Sequence, residues 1–178
     1  MSQVVELHTY DAKWEKIFLE MKQIYETALG DLAVAIEHIG STSVPGLSAK
    51  PILDIDIVIK DENNLPKVNK VLERLGYIHQ GNLGIDGRES FRALDAKSPL
   101  DDKGTSWMNH HLYVCPQNSR EFKRHIAFRD YLREHSQAAK AYENLKIKLA
   151  ISVETREEYT EGKTAFVDMV LQKALKND

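Results

Sequence analysis

A single cysteine, Cys115, in 178 residues excludes an intramolecular disulfide and any metal site built from several thiolates. A chain without disulfide staples suits a reducing compartment, so the cytoplasm is the expected location. No apolar run reaches the ~18 residues of a membrane span, and the segment from Met1 to Leu7 lacks the apolar core of a secretory signal. No membrane partner is therefore expected. Charge of one sign is also scarce: the formal charge is -3, with no basic tail. Without a positive field or basic strands interleaved with aromatics, nucleic acid is disfavoured as a partner, and any affinity for phosphate must be local. Repeats, low-complexity tracts and Pro/Gly/Ser linkers are absent as well. One domain over 1–178 follows, with a core over about 1–116 and a helical layer over about 119–178.

What is present is concentrated between Gly40 and Ile59, G-S-T-S-V-P-G-L-S-A-K-P-I-L-D-I-D-I-V-I. Asp54 and Asp56 alternate with Leu53, Ile55, Ile57 and Ile59, so in a strand both carboxylates project from one face while the other face anchors in a core. Such rigid backing is what a metal site needs. Upstream, Gly40 ends the apolar run Val34 to Ile39 and allows a turn or a close approach. Ser41, Thr42 and Ser43 then offer hydroxyls and backbone N-H groups of the kind phosphate oxygens accept. Lys50 adds a positive charge just before the aspartates. A D-x-D alternation alone is also what any half-buried strand displays; the glycine-serine turn in front of it points to a phosphate and metal site.

Periodicity predicts a helix from about Ala12 to Leu29 with Asp11 as N-cap, striped by Trp14, Ile17, Phe18, Met21, Ile24 and Tyr25. Strands near 34–39 and 52–59 follow, then a helix from about Leu65 to Leu75 closed by Gly76. Residues 77–79, 89–94 and 111–114 are strand candidates, separated by turn-rich segments. The polar stretch from Lys97 to Met108 reads as disordered or as a lid, with disorder preferred near Asp101 to Gly104. Helices are expected over about 119–134, 137–152 and 161–175. The fold class is α+β, a small mixed sheet with flanking helices and a C-terminal helical layer.

Gly40-Ser41, twelve intervening residues and Asp54-Ile55-Asp56 resemble the signature of the DNA-polymerase-beta-like nucleotidyltransferase superfamily. More closely, His38 to Leu47, Gly87 to Phe91, His110 to Val114, Phe128 to Arg133 and Tyr159-Thr160 with Lys163 resemble its GrpB-like branch. The resemblance implies a nucleotidyltransferase fold, Asp54 and Asp56 as ligands of Mg²⁺ or Mn²⁺, and Gly40 and Ser41 as holders of a nucleoside triphosphate. The acceptor, a small molecule or a protein, is unidentified. Superfamily members place a third carboxylate on a later strand; here His111 stands at that position, with Glu89 in reserve. An imidazole is a poor partner for Mg²⁺, which opens either Mn²⁺ or Zn²⁺ use or a silent module that binds a nucleotide or a coenzyme A precursor. Relatives fused to dephospho-coenzyme A kinase make the second option concrete. Arg88 with Arg92, and His125 with Arg129 and Arg133 on one helical stripe, are candidate phosphate clamps or, alternatively, a solvated face paired with Asp130 and Glu134. Lys146 and Lys163, with Tyr159, are candidates to reach the base or ribose, and Cys115 reads as structural.

Overall fold

The computed structural model describes residues 5–176. Helix α1 (Lys13–Leu29) buries Trp14, Phe18, Met21, Tyr25 and Leu29, the stripe its periodicity demands. It starts one residue later than expected: Ala12 holds the cap position in helical geometry, and Asp11 accepts the Lys13 N-H from one residue further back at 2.9 Å. Strand β1 (Ala35–Ile39) and strand β2 (Leu53–Ile59) flank the glycine-serine loop. Helix α2 (Leu65–Arg74) ends where Gly76 takes φ +90°, a left-handed geometry that costs glycine little. Strands β3 (Tyr77–His79), β4 (Glu89–Ala93) and β5 (His110–Pro116) complete a five-stranded sheet of order β1-β2-β5-β4-β3. Only the central β2/β5 pair is parallel, so the sheet is mixed and its class is α+β as expected.

Four helices follow: α3 (Arg120–Glu134), α4 (Ser136–Ser152), α5 (Arg156–Glu161) and α6 (Thr164–Ala174). The short α5 was not expected; Thr155 and Glu158 form a capping box around its first turn. The segment at 101–104 is also a correction, because it is an ordered turn rather than a disordered tip. Asp101 gathers the N-H groups of Lys103 and Thr105 and the Thr105 hydroxyl, which replaces the missing secondary structure.

The main core lies between one face of the sheet and helices α1 and α2, where Leu53, Ile55, Ile57, Leu112 and Val114 meet Trp14, Phe18, Met21 and Leu72. A second cluster matters more for the site. Val44 and Leu47, from the loop between β1 and β2, insert among Leu132, Tyr142 and Val170 of α3, α4 and α6. Burying each such side chain is worth about 1.5–3 kcal/mol, so the C-terminal helices grip this loop by its apolar residues. Among the described residues, no helix is long and apolar enough to cross a membrane.

Candidate functional site

The site is built on the face of β2 turned away from the main core. Pairing places Asp54 beside His111 of β5, and Asp56 between Glu37 of β1 and Tyr113 of β5, so these side chains share one face. Gly40 runs directly against Asp54: its backbone has φ +71°, and a Cβ there would collide with the Asp54 carboxylate. The glycine is thus required twice, by conformation and by the closeness of loop to acid.

Of the three loop hydroxyls, two are turned inward. Thr42 Oγ1 meets His38 Nε2 at 2.9 Å, and Ser43 Oγ donates to the Gly40 carbonyl at 2.6 Å. Ser41 instead faces the Tyr142 hydroxyl. The helical layer holds the same loop by its backbone. Arg133 donates from Nε and Nη2 to the Ser43 carbonyl at 2.9 and 2.7 Å. One turn of α4 takes both polar groups of Ser48: Glu143 Oε1 accepts its N-H at 3.0 Å, and Lys146 Nζ donates to its carbonyl. Lys140 first, and then Ser48 through its side chain and its N-H, hold the Glu143 carboxyl down at about 2.

Each aspartate has an imidazole. His111 Nδ1 lies 2.8 Å from Asp54 Oδ1, and this bond raises the His111 pKa above its ordinary value. His125 Nδ1, from α3, lies 2.7 Å from Asp56 Oδ2. Asp56 is fully buried, and burial raises its carboxyl pKa; its Oδ1 has no hydrogen-bond partner. Arg129 spans Glu37 Oε2 and Asp130 Oδ1, each at 2.7 Å, and donates to the His38 carbonyl. The stripe His125, Arg129, Arg133 therefore faces the sheet and the loop, which corrects the solvated-face alternative; only the Asp130 pairing was foreseen. These two arginines fasten protein to protein rather than standing free for phosphate.

Arg88 lies over the Tyr113 ring at 4.3 Å, on the Asp56 side of the site. The lysines gather on the other side. Lys50 and Lys163 sit 5.2 and 4.5 Å from the Tyr159 ring centroid, and Lys146 sits 4.9 Å from that of Tyr142. Burial, and then the charge of neighbouring lysines, depresses Lys146 to about 7 and Lys163 to about 8. Lys50 is lowered by burial, and Asp54 draws both Lys50 and Lys163 back up. Mutually repelling ammonium groups beside a carboxylate are a cluster whose repulsion a bound anion would relieve. Sequence reasoning missed Glu37, Tyr113 and Glu143. Strand alternation could have put Glu37 on the polar face, whereas the reach of Glu143 across 95 residues to Ser48 leaves no local signal.

A family model described as "GrpB protein" matches residues 4–173. The UPF0157 protein YqkA of Bacillus subtilis is 33% identical over 171 residues, 96% of this chain and 47% of that protein, so the chain spans about half of that relative's length. The crystal structure of the conserved protein GrpB from Enterococcus faecalis superimposes with a TM-score of 0.80 at 33% identity, covering 97% of this chain and 98% of that one. The Cid1 poly(U) polymerase, in a structure with MgGTP bound, reaches a TM-score of 0.54 at 11% identity, covering 79% of this chain and 43% of that one, a likeness of fold.

Proposed function

The chain belongs to the GrpB family, and from that premise we propose that it is a divalent-cation-dependent nucleotidyltransferase that moves a nucleotidyl group from a nucleoside triphosphate to a small-molecule or protein acceptor. One observation carries the reading: two carboxylates, Asp54 and Asp56, share a strand face directly against the Gly40-Ser41 loop and opposite Lys50 and Lys163. Mg²⁺ commonly takes one or two carboxylates with substrate phosphates and water completing its shell. The donor set fits such an ion, since Asp56 Oδ1 is buried without a donor.

In the reaction an acceptor hydroxyl attacks the α-phosphorus, the bond to the β-phosphate oxygen breaks, and pyrophosphate leaves with the electron pair. Bound between Asp54 and Asp56, the cation would neutralise charge developing on the phosphates. Ser41 and the N-H groups of its loop donate to phosphate oxygens, while Lys50 and Lys163 face the leaving pyrophosphate. Lys146 positions that loop through Ser48. His111 competes for Asp54: as imidazolium it holds the carboxylate, and as neutral imidazole it releases it and can take the acceptor's proton. Its nitrogen favours Mn²⁺ over Mg²⁺. The fold likeness to a polymerase crystallised with MgGTP supports nucleotide binding in general terms.

A catalytically silent nucleotide-binding module is the second reading. What favours it is that histidine stands opposite Asp54 and both aspartates already have imidazole partners. Thermal melting with nucleoside triphosphates, with and without Mg²⁺ or Mn²⁺, tests both together; ligand at a hundred times its dissociation constant adds about 2.7 kcal/mol. A cation-dependent shift is expected, and its absence for every triphosphate removes both readings. Pyrophosphate release that disappears in Asp54→Asn establishes the enzyme. Tight binding with no release across broad acceptor pools establishes the module.

A further inference from the structure

At the buried end of the same face, three side chains from three elements converge: Asp56 of β2, Cys115 of β5 and His125 of α3. One potential ligand atom from each lies within 4.8 Å of the others. Asp56 and Cys115 are fully buried. We propose that Asp56, Cys115 and His125 form a site for a borderline-soft divalent transition metal, Zn²⁺ above all, distinct from the Asp54 side of the polar face.

The chemistry of the donors selects the ion. A thiolate, an imidazole nitrogen and a carboxylate oxygen are the set that Zn²⁺ takes up and that Mg²⁺ does not. The orphaned Oδ1 of Asp56 is a buried carboxyl oxygen without a donor, a feature a cation would resolve. Charge balances as well: carboxylate and thiolate together cancel a doubly charged ion, so the occupied site is neutral where a net charge would be costly. The remaining charges that bear on Cys115, Arg88 and Glu121, oppose one another. Burial keeps the free thiol protonated, and coordination releases that proton to solvent as the metal-sulfur bond forms. Entry is open from the α3 side, where His125 and Glu121 keep about a fifth of their side-chain surface exposed. A water entering from that side would complete the fourth position and leave the charge balance unchanged. A metal here would tie α3 to both central strands and withdraw Asp56 from any ion shared with Asp54.

Co²⁺ is the probe, because a thiolate ligand gives it a charge-transfer absorption in the near ultraviolet that oxygen and nitrogen ligands lack. Titration of the purified protein should give this band at one equivalent. Zn²⁺ should abolish it, and excess Mg²⁺ should leave it. Cys115→Ser should eliminate the band, His125→Gln should weaken Co²⁺ binding by at least about tenfold, and Asp54→Asn should leave both unchanged. X-ray absorption of the Zn²⁺-loaded wild type should show a single sulfur at ~2.3 Å with nitrogen and oxygen neighbours, a measurement that needs no variant to fold. Absence of the band and of a zinc-sulfur distance overturns the site. Loss of the band in a folded Asp54→Asn overturns its separateness. Because Asp54 decides pyrophosphate release and Cys115 decides the Co²⁺ band, either proposal can fail without the other.

Discussion

On the face of the sheet that meets α1 and α2, the strand residues are Leu53, Ile55, Ile57, Leu112 and Val114, and their partners are other apolar side chains. On the face that meets α3, they are Glu37, Asp54, Asp56, His111 and Tyr113, and each has a named partner: Arg129, His111, His125, Asp54 and Arg88 respectively. The first face is held by buried area, which does not depend on direction. The second is held group by group, through contacts from distant parts of the chain, with Asp56 Oδ1 left without a partner. Stability should therefore be concentrated on one face and chemistry on the other.

Leu112→Ala tests the first half of that division with the largest effect. Truncating a fully buried leucine costs about 2–5 kcal/mol, read as a lower denaturant midpoint with unchanged slope. Asp54→Asn is the counterpart on the polar face. Its pair with His111 is partly exposed, so the change in stability should stay within about 1 kcal/mol while cation-dependent triphosphate binding is lost. An Asp54→Asn variant as unstable as Leu112→Ala would break the comparison.

Gly40→Ala comes next, because it strikes where loop and polar face touch. A left-handed non-glycine residue costs about 1–3 kcal/mol, and the added Cβ meets the Asp54 carboxylate. Stability and triphosphate binding should fall together. Removing the collision with Asp54→Ala in the same chain should recover part of the stability, giving a coupling between the two sites, whereas simple addition of the two losses would show that Asp54 and Gly40 do not press on one another.

Local rules made the apolar face legible. The stripe Trp14, Phe18, Met21, Tyr25 and the alternation Leu53, Ile55, Ile57 are signals of period 3.6 and period 2, and the elements they imply lie within a residue or two of those observed. The short helix at 156–161 carries a local signal in the capping-box spacing of Thr155 and Glu158, but its six residues are too few for an apolar period to show. The turn at Asp101 shows the limit of polarity as a sign of disorder: one carboxylate closing three hydrogen bonds orders a segment that lacks apolar residues. On the polar face, the aspartates and Gly40 stood out because they crowd into one stretch of chain. Their partners did not. His125 was visible as part of a helical stripe, but its bond to Asp56 joins residues 69 apart. Such pairings follow from strand register and helix docking, which no local pattern encodes.

The smallest effect sharpens the comparison most, because it sets a buried base on each face against the other. His38, on the apolar face, is pushed down to about 4 by burial and stacks on Phe18 with ring centroids 4.7 Å apart. It remains neutral near pH 7 whatever binds the opposite face. Lys146 and Lys163, depressed to about 7 and about 8, are only partly protonated there. Their folded values lie below the unfolded lysine value of about 10.4, so the unfolded chain binds more protons between the two, and the ligand-free protein gains stability as pH rises through that window. An anion seated among Lys50, Lys146 and Lys163 favours the charged forms and reverses this. Binding of inorganic tripolyphosphate should therefore take up protons near pH 7.5, its affinity should fall as pH rises from 7 to 9, and the melting-temperature gain should shrink in parallel. Calorimetry in two buffers of different ionisation heat reads the uptake directly. Lys163→Met should reduce it, while His38→Asn should leave it unchanged and instead lessen the loss of stability between pH 6.5 and 4, where His38 resists the proton that the unfolded chain accepts. Proton uptake that is equal in wild type and Lys163→Met would mean that the anion sits elsewhere on the polar face, with His111, whose pKa Asp54 already holds high, as the group that titrates.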